Sequence, residues 1–547
     1  MAISKIVYKA SANATPEVWM DATPATAAAA DIVAPKTAML ANGVVTTGTG
    51  TGGGGGGNFG RKDVNFYDYD GSIIASYTTS EFANISELPA NPSHTGLVAQ
   101  GWNMPSNWEL SDAKTYIATN GKADWGQMYV TVSGDTEIDI SLNDANYLSP
   151  YLAIAVNGTV EVDWGDNSTA DTLTGTSDGA LVYQLHQYST TGDYKISIHV
   201  VSGKFTFRGT SLYASVLRTV AADNDRARSL TYSSSIKAIW IGNNAFLSNY
   251  AFQYCSSMMS VTIPSNISQI RSYAFAFCYR LQYVTIPISV TAIEDYTFTN
   301  CFLMASISIP NSVTSIGEYV FPYCISLSVT IPNSITYIGV AAFEYCYILS
   351  NIKIPNAVSA INSYAFYYCY GLKSIVIPSG IETIYQYAFA RCYYLENVSI
   401  PNSVTSVGNY AFNYCWSLKD IEIPSNITTI SQYAFACCYS LTDITIPANV
   451  TRINASAFSS CWSLTKMTVP SSVTYIASLA FEKCYSITEY HFKPTTPPTL
   501  QGTNAFSGIM SGTIMYVPYS EDHSILNAYQ TASNWSNYAN FMQEEPQ

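Results

Sequence analysis

Between roughly Ser229 and Tyr490 the apolar positions follow one pattern, repeated about eleven times. A single copy shows it. In Leu441-Thr-Asp-Ile444-Thr-Ile446-Pro447-Ala-Asn-Val450-Thr-Arg-Ile453 the isoleucines at 444 and 446 alternate with Asp443 and Thr445. Such alternation predicts a short strand with one buried face. Pro447 lacks an amide hydrogen and ends that strand. Val450 and Ile453 turn inward on a return path, and Phe458 and Cys461 of the next copy close the loop. One loop buries too few side chains to offset the ordering of its own backbone, so the copies must stack to fold.

The spacing of the copies is regular. The cysteines stand at 255, 278, 301, 324, 346, 369, 392, 415, 438, 461 and 484, and the prolines from Pro264 to Pro470 keep step with them. Each series advances by 23 residues, with one step of 22 across Ser326-Leu327-Ser328-Val329. A fixed period of this length predicts a repeat solenoid in which each coil touches only its neighbours. Such a body is a long rigid surface, suited to binding more than to catalysis.

The order L-x-x-I-x-I-P, then an apolar return, then A-F-x-x-C, resembles the BspA-like class of leucine-rich repeats. Tyr410-Ala-Phe412-Asn-Tyr-Cys415-Trp-Ser-Leu418-Lys-Asp-Ile421-Glu-Ile423-Pro424-Ser-Asn-Ile427-Thr-Thr-Ile430 is a clean copy. The resemblance covers nearly half of the chain. It implies a curved solenoid with a parallel β-sheet on its concave face, in a family associated with adhesion to surfaces.

Composition narrows the partners. Of 547 residues 48% are hydrophobic and 11% charged, with a net charge of −14. The chain is therefore a folded one. Its acidity argues against nucleic acid, which needs clustered Lys and Arg, and against anionic membrane surfaces. No run of 18 apolar residues is present, so membrane insertion is not expected. The start, Met1-Ala-Ile-Ser-Lys-Ile-Val-Tyr-Lys, does not read as a secretory signal, and the end, Gln543-Glu-Glu-Pro-Gln547, shows no cell-wall sorting motif. Of the twelve cysteines eleven are in phase, and Cys437 sits beside Cys438. The expectation is a ladder of small buried thiols, all reduced and unreactive until unfolding. There is no C-x-x-C, and of the five histidines only His491 lies near the ladder, so no metal is expected. No cofactor is expected either.

Five segments follow from the pattern. Residues 1–60 end in Gly52 to Gly57, a flexible joint. Within them Pro16-Glu-Val-Trp19-Met-Asp21, then Leu40-Ala-Asn-Gly43 and Thr47-Gly48, resemble the leader of tail-associated proteins of phages and prophages of gut Firmicutes. Residues 61–135 open with Val64-Asn-Phe-Tyr-Asp-Tyr-Asp70-Gly71, and the order of their strands and turns resembles small β-grasp modules of bacterial surface proteins. In 136–225, Val160-Glu-Val162-Asp163-Trp164-Gly165-Asp166-Asn167, His186-Gln-Tyr188 and Gly192-Asp-Tyr194 resemble a PKD-type immunoglobulin-like sandwich. The resemblance implies a core position for Trp164 and a hairpin turn at Gly192. Asp163, Asp166 and Asn167 suit either a capped turn or, less readily, an oxygen set for calcium. The solenoid occupies 226–490, and 491–547 hold a degenerate last coil and a C-terminal helix that caps the stack.

No enzyme motif is present: no G-x-S-x-G, no H-E-x-x-H and no P-loop, so no catalytic residue is expected. The candidate site is the aromatic edge beside the ladder cysteine. The Phe three residues before Cys is Phe in all eleven coils, as a buried position demands, whereas the residue just before Cys is Tyr, Phe, Asn, Arg, Cys, Ser or Lys. A position accepting both Arg and Tyr reads as exposed, and exposed Tyr and Trp stack on sugars and act as binding hot spots. The densest run is Tyr345, Tyr347, Tyr368, Tyr370, Tyr393, Tyr414, Trp416, Tyr439 and Trp462. These rings pack on one another, on a ligand, or on both. The strand face, with Lys419, Asp420, Glu422, Thr442, Asp443 and Thr445, is either solvated or a second polar surface.

Taken together, the expected function is that of a phage or prophage tail fibre, or receptor-binding adhesin. Residues 1–60 would join a tail or baseplate protein, and the solenoid would hold a host cell-surface glycan or protein. The alternative is a bacterial cell-surface adhesin. A homotrimer is compatible with a tail fibre, although no trimer-forming coiled coil is visible.

Overall fold

The computed structural model describes residues 62–68, 73–94, 97–102, 109–120, 123–131, 134–209, 216–219, 232–350 and 352–546, with short strands at 5–9, 17–21, 37–39 and 45–47. Apart from those strands, the expected attachment leader and poly-glycine joint lie outside the described residues.

The first module is built around Val64–Tyr67. Ile73–Tyr77 pairs with it antiparallel on one side, and Ala123–Thr131 pairs parallel on the other. Leu97–Trp102 lies antiparallel outside the latter. The sheet is thus mixed, with a parallel central pair. Helices Thr79–Ala83 and Leu110–Asn120 supply Phe82, Ala113 and Ile117 to a core shared with Val64, Phe66, Trp102 and Trp125. The shorter helix starts where Thr78 and Glu81 form a reciprocal capping box.

The strands of 136–207 are long and antiparallel: Thr136–Leu142, Tyr151–Asp163, Asp171–Leu185 and Gly192–Phe207. Trp164 is fully buried, donates from Nε1 to Asp171 at 2.8 Å and stacks on His186 at 4.5 Å. Gly192 begins a strand, opposite Leu142. Asp163 accepts from the Gly165 amide, and Asp166 accepts from the Ser168 amide and meets His186. The carboxylates there serve a capped turn with Asn167 in the left-handed region.

The sandwich-like segment was expected to end near 225 as a separate unit, but its sheet does not stop there. Thr136–Leu142 pairs antiparallel with Ile236–Trp240, the first strand of the solenoid, and Phe205–Phe207 pairs parallel with Ala245–Leu247. One apolar core runs from Ile138 to Met542. The segment therefore closes the N-terminal edge of the stack, where an open strand would otherwise recruit other chains.

Up to three ladders join neighbouring coils, the two strand ladders being interrupted at some steps. The first is a parallel front strand, as in Ile375 opposite Val398 and Val398 opposite Ile421. The second is a two-residue return bridge, as in Ile384 opposite Val407. The third is a turn whose amides reach the following coil: Phe412 N–H donates to Ala434 O and Tyr414 N–H to Ala436 O, both at 2.9 Å. The 22-residue step is absorbed in the turn after Cys324, because Ser306 pairs with Ser328 and Ser315 with Tyr337 at the shortened interval.

At the far end Phe506 continues the phenylalanine stack 5.4 Å from Phe481. Helix Ser524–Thr531 and the 3-10 turn Trp535–Phe541 cover it with Tyr529, Trp535 and Tyr538, all buried. Met542–Glu544 then adds a last parallel strand to Ile514–Val517. Among the described residues no helix is long and apolar enough to cross a membrane.

Candidate functional site

The aromatic edge grows out of an unusual backbone. In every coil two non-glycine residues adopt the left-handed conformation, twenty-two in all with φ between 51° and 64°. One lies two residues before the core Phe, as Tyr387 and Tyr410 do, and the other lies just before the cysteine, as Arg391 and Tyr414 do. Each such residue costs about 1–2 kcal/mol. The turn ladder offsets that cost, since these amides donate across to the next coil: Tyr387 N–H to Asn409 O and Arg391 N–H to Asn413 O. Side chains on this turn therefore repeat coil after coil in fixed register.

Stacked ring rows result. The innermost is phenylalanine throughout, from Phe252 to Phe506, with centroids 5.4–5.8 Å apart and planes within 16°. Beside it each ladder cysteine, from Cys278 to Cys484, donates its thiol to the Phe carbonyl of the preceding coil at 3.2–3.4 Å. The cysteine is thus a small apolar filler that also satisfies a backbone acceptor. Burial pushes these thiols well up, which keeps them protonated as donors and poor nucleophiles. Cys437, the one out of register, is half-buried.

The second row follows the cysteine: Tyr347, Tyr370, Tyr393, Trp416, Tyr439 and Trp462 stack in sequence at 4.0–5.8 Å. The rings pack on one another, and their exposure is graded. Tyr347 and Tyr370 are only 5% and 4% exposed, whereas Trp462 reaches 45%. Tyr345 and Tyr368 fold against Tyr347 and Tyr370 and cover them. An edge accessible over the whole predicted run is therefore corrected to a row that is buried at Tyr347 and Tyr370, half-buried from Tyr393 to Tyr439 and exposed at Trp462. Tyr347 and Tyr370 are packing residues, Tyr345, Tyr368, Tyr393, Tyr414, Trp416 and Tyr439 are half-buried, and Trp462 is exposed. The Trp416 indole N–H is buried without a hydrogen-bond partner, so stacking between Tyr393 and Tyr439 sets its position.

The third row was not foreseen. It is the tyrosine two residues before the core Phe: Tyr250, Tyr273, Tyr296 and Tyr319 stack at 4.6–4.8 Å, and Tyr364, Tyr387, Tyr410 and Tyr433 at 4.5–4.8 Å. The available signal was the recurrence of Tyr at that position in eight of eleven coils. Between this row and the residues before the cysteines runs a groove of about 380 Å³, lined by Tyr387, Tyr410 and Tyr433 on one side and Arg391 and Tyr414 on the other.

On the strand face Lys419, Asp420, Glu422, Thr442, Asp443 and Thr445 are all exposed, and Lys419 pairs with Glu396 at 2.9 Å. In the first coils that face is partly covered by the first module, where Ala99 packs on Ala238 and Trp240. All five histidines meet carboxylates, and His491 is held by Glu489 and Glu545. Among the described residues no group of His, Cys, Asp or Glu is placed to hold a metal.

The model of the BspA type leucine-rich repeat region matches residues 245–373 and 359–488. Residues 245–488 are a BspA-type leucine-rich repeat region. No curated protein matches the chain. Among solved structures, a leucine-rich repeat protein of Bacteroides ovatus is 23% identical, covering 63% of this chain and 96% of its own, at a TM-score of 0.38. A leucine-rich cell surface protein of Faecalibacterium prausnitzii is 26% identical, covering 53% and 90%, at 0.34. A leucine-rich repeat protein of Eubacterium ventriosum is 21% identical, covering 57% and 92%, at 0.38. The BspA-type repeats place the Tyr393–Trp462 edge on consecutive coils of one solenoid.

Proposed function

We propose that the protein is a non-enzymatic surface adhesin whose BspA-type solenoid binds cell-surface glycans along the aromatic edge from Tyr393 to Trp462. One observation carries this reading. Five stacked or clamped aromatic side chains line one edge of consecutive coils, on a backbone fixed by inter-coil hydrogen bonds, four of them half-buried and Trp462 nearly half exposed. Rings held in register need no ordering on binding, and aromatic faces suit the apolar face of a sugar ring. A row of weak contacts acting together supplies avidity. The repeat type supports adhesion at a cell surface. The tail-fibre role draws chiefly on the leader, which lies largely outside the described residues. The test is a glycan array and whole-cell pull-down with the full chain. Retention on glycans, competed by the same free oligosaccharides, is expected, and an array blank for every glycan would overturn the proposal.

A further inference from the structure

All eleven coils share one turn, so each turn position can be compared along the stack. Just before the cysteine, Tyr323, Tyr345 and Tyr368 stack in succession, and the row then breaks at Arg391 before Tyr414. The guanidinium takes the place of the missing ring. Its carbon lies 4.9 Å from the Tyr368 ring centre and 4.8 Å from that of Tyr414, and Nη1 donates to Tyr393 Oη at 3.3 Å. Clamped on both faces, the group presents only its N–H edge, the side that matches an oxyanion bidentately.

Among the described residues Arg391 makes no ion pair, although Arg271, Lys419 and Lys483 on the same solenoid each meet a carboxylate. It is half-buried, in a chain of net charge −14. It lines the 380 Å³ groove, which no acidic side chain lines. That volume lies within the usual range for small-ligand sites, about 300–1,000 Å³. Across the groove Tyr387, Tyr410 and Tyr433 form a stacked wall, with buried Asn413 between the two sides. A weakly hydrated, unpaired cation facing aromatic rings and hydroxyls is complementary to a sugar that carries a negative charge.

We propose that this groove binds an anionic sugar, the oxyanion held by the edge of Arg391 and the ring laid on the Tyr387–Tyr410–Tyr433 wall. The proposal rests on the glycan-binding reading above and names the chemistry of its ligand. Carboxylate, sulfate and phosphate share that chemistry.

Arg391→Tyr is the informative variant, because tyrosine fills the same turn position in the coils on either side. The full chain and this variant are titrated with oligogalacturonate, with a sulfated and a phosphorylated galactose oligosaccharide, and with the neutral oligosaccharide. Arg280→Gln, which removes an exposed cation elsewhere on the solenoid, serves as the charge control. The expected result is a loss of about tenfold or more in affinity for one or more anionic sugars with Arg391→Tyr. The melting temperature is retained, neutral-sugar binding is unchanged, and Arg280→Gln behaves as the parent. Which anionic arm binds tightest distinguishes the three oxyanions. Anionic binding unchanged in Arg391→Tyr, or reduced equally in Arg280→Gln, overturns the inference and leaves the glycan reading standing. If Arg391→Tyr lowers the melting temperature, Arg391→Lys decides: a full return of affinity shows that charge alone suffices and overturns the edge-on clamp, and a partial return supports it.

Discussion

The inner phenylalanine row and the outer row from Tyr347 to Trp462 have nearly the same stacking geometry and opposite surroundings. Inner centroids lie 5.4–5.8 Å apart and outer ones 4.0–5.8 Å. That spacing follows from the distance between neighbouring coils and says nothing by itself about function. The rows differ in composition and in water. The inner row is one residue type, closed on every side. The outer row mixes Tyr and Trp and emerges from burial as it proceeds toward the C-terminus. A ring row becomes a binding surface only where its flanking side chains leave it uncovered.

The sharpest way to break this comparison is to cut the inner row. Phe412 is fully buried between Phe389 and Phe435. Phe412→Ala is expected to lower unfolding stability by about 4 kcal/mol in urea melts, because neighbouring coils cannot collapse into the space. A loss below about 1 kcal/mol would mean that the inner row is not what holds the stack together.

A second test lies between the rows. Glu344 follows core residue Phe343, and burial raises its carboxyl to about 7 from an ordinary 4.5. The folded state therefore favours the neutral acid. Its contribution is fully present below pH 4.5 and is lost as pH rises through about 7, by about 3 kcal/mol. Melting temperature measured across pH 4.5 to 8 is expected to fall more steeply in the parent than in Glu344→Gln. Parallel curves would show that the carboxyl is hydrated.

The repeat unit, its single short step, the front strand and the buried Phe and Cys were all legible, because strict apolar periodicity records burial directly. The left-handed turns were not. Glycine usually marks such backbone, and here Tyr, Arg, Ser and Lys adopt it because inter-coil hydrogen bonds impose it. Thiol donation to the Phe carbonyls is invisible for the same reason: it is made between coils. The aromatic edge was legible as residue types and not as a surface. Tyr370 and Tyr393 occupy the same repeat position, yet Tyr368 covers the first, while Arg391 stands before the second and is drawn between Tyr368 and Tyr414. Side-chain neighbours, not spacing, decided exposure.

The smallest stability effect is also the most informative. Trp462 is 45% exposed and stacks on Tyr439 at 4.1 Å, so Trp462→Ala is expected to change stability by about 1 kcal/mol or less. Measuring its attachment to glycan-bearing cells alongside its urea midpoint tests the division between the two rows most directly. The account predicts a loss of attachment of about tenfold, with the midpoint close to that of the parent. A fall in stability approaching that of Phe412→Ala, with attachment unchanged, would contradict it.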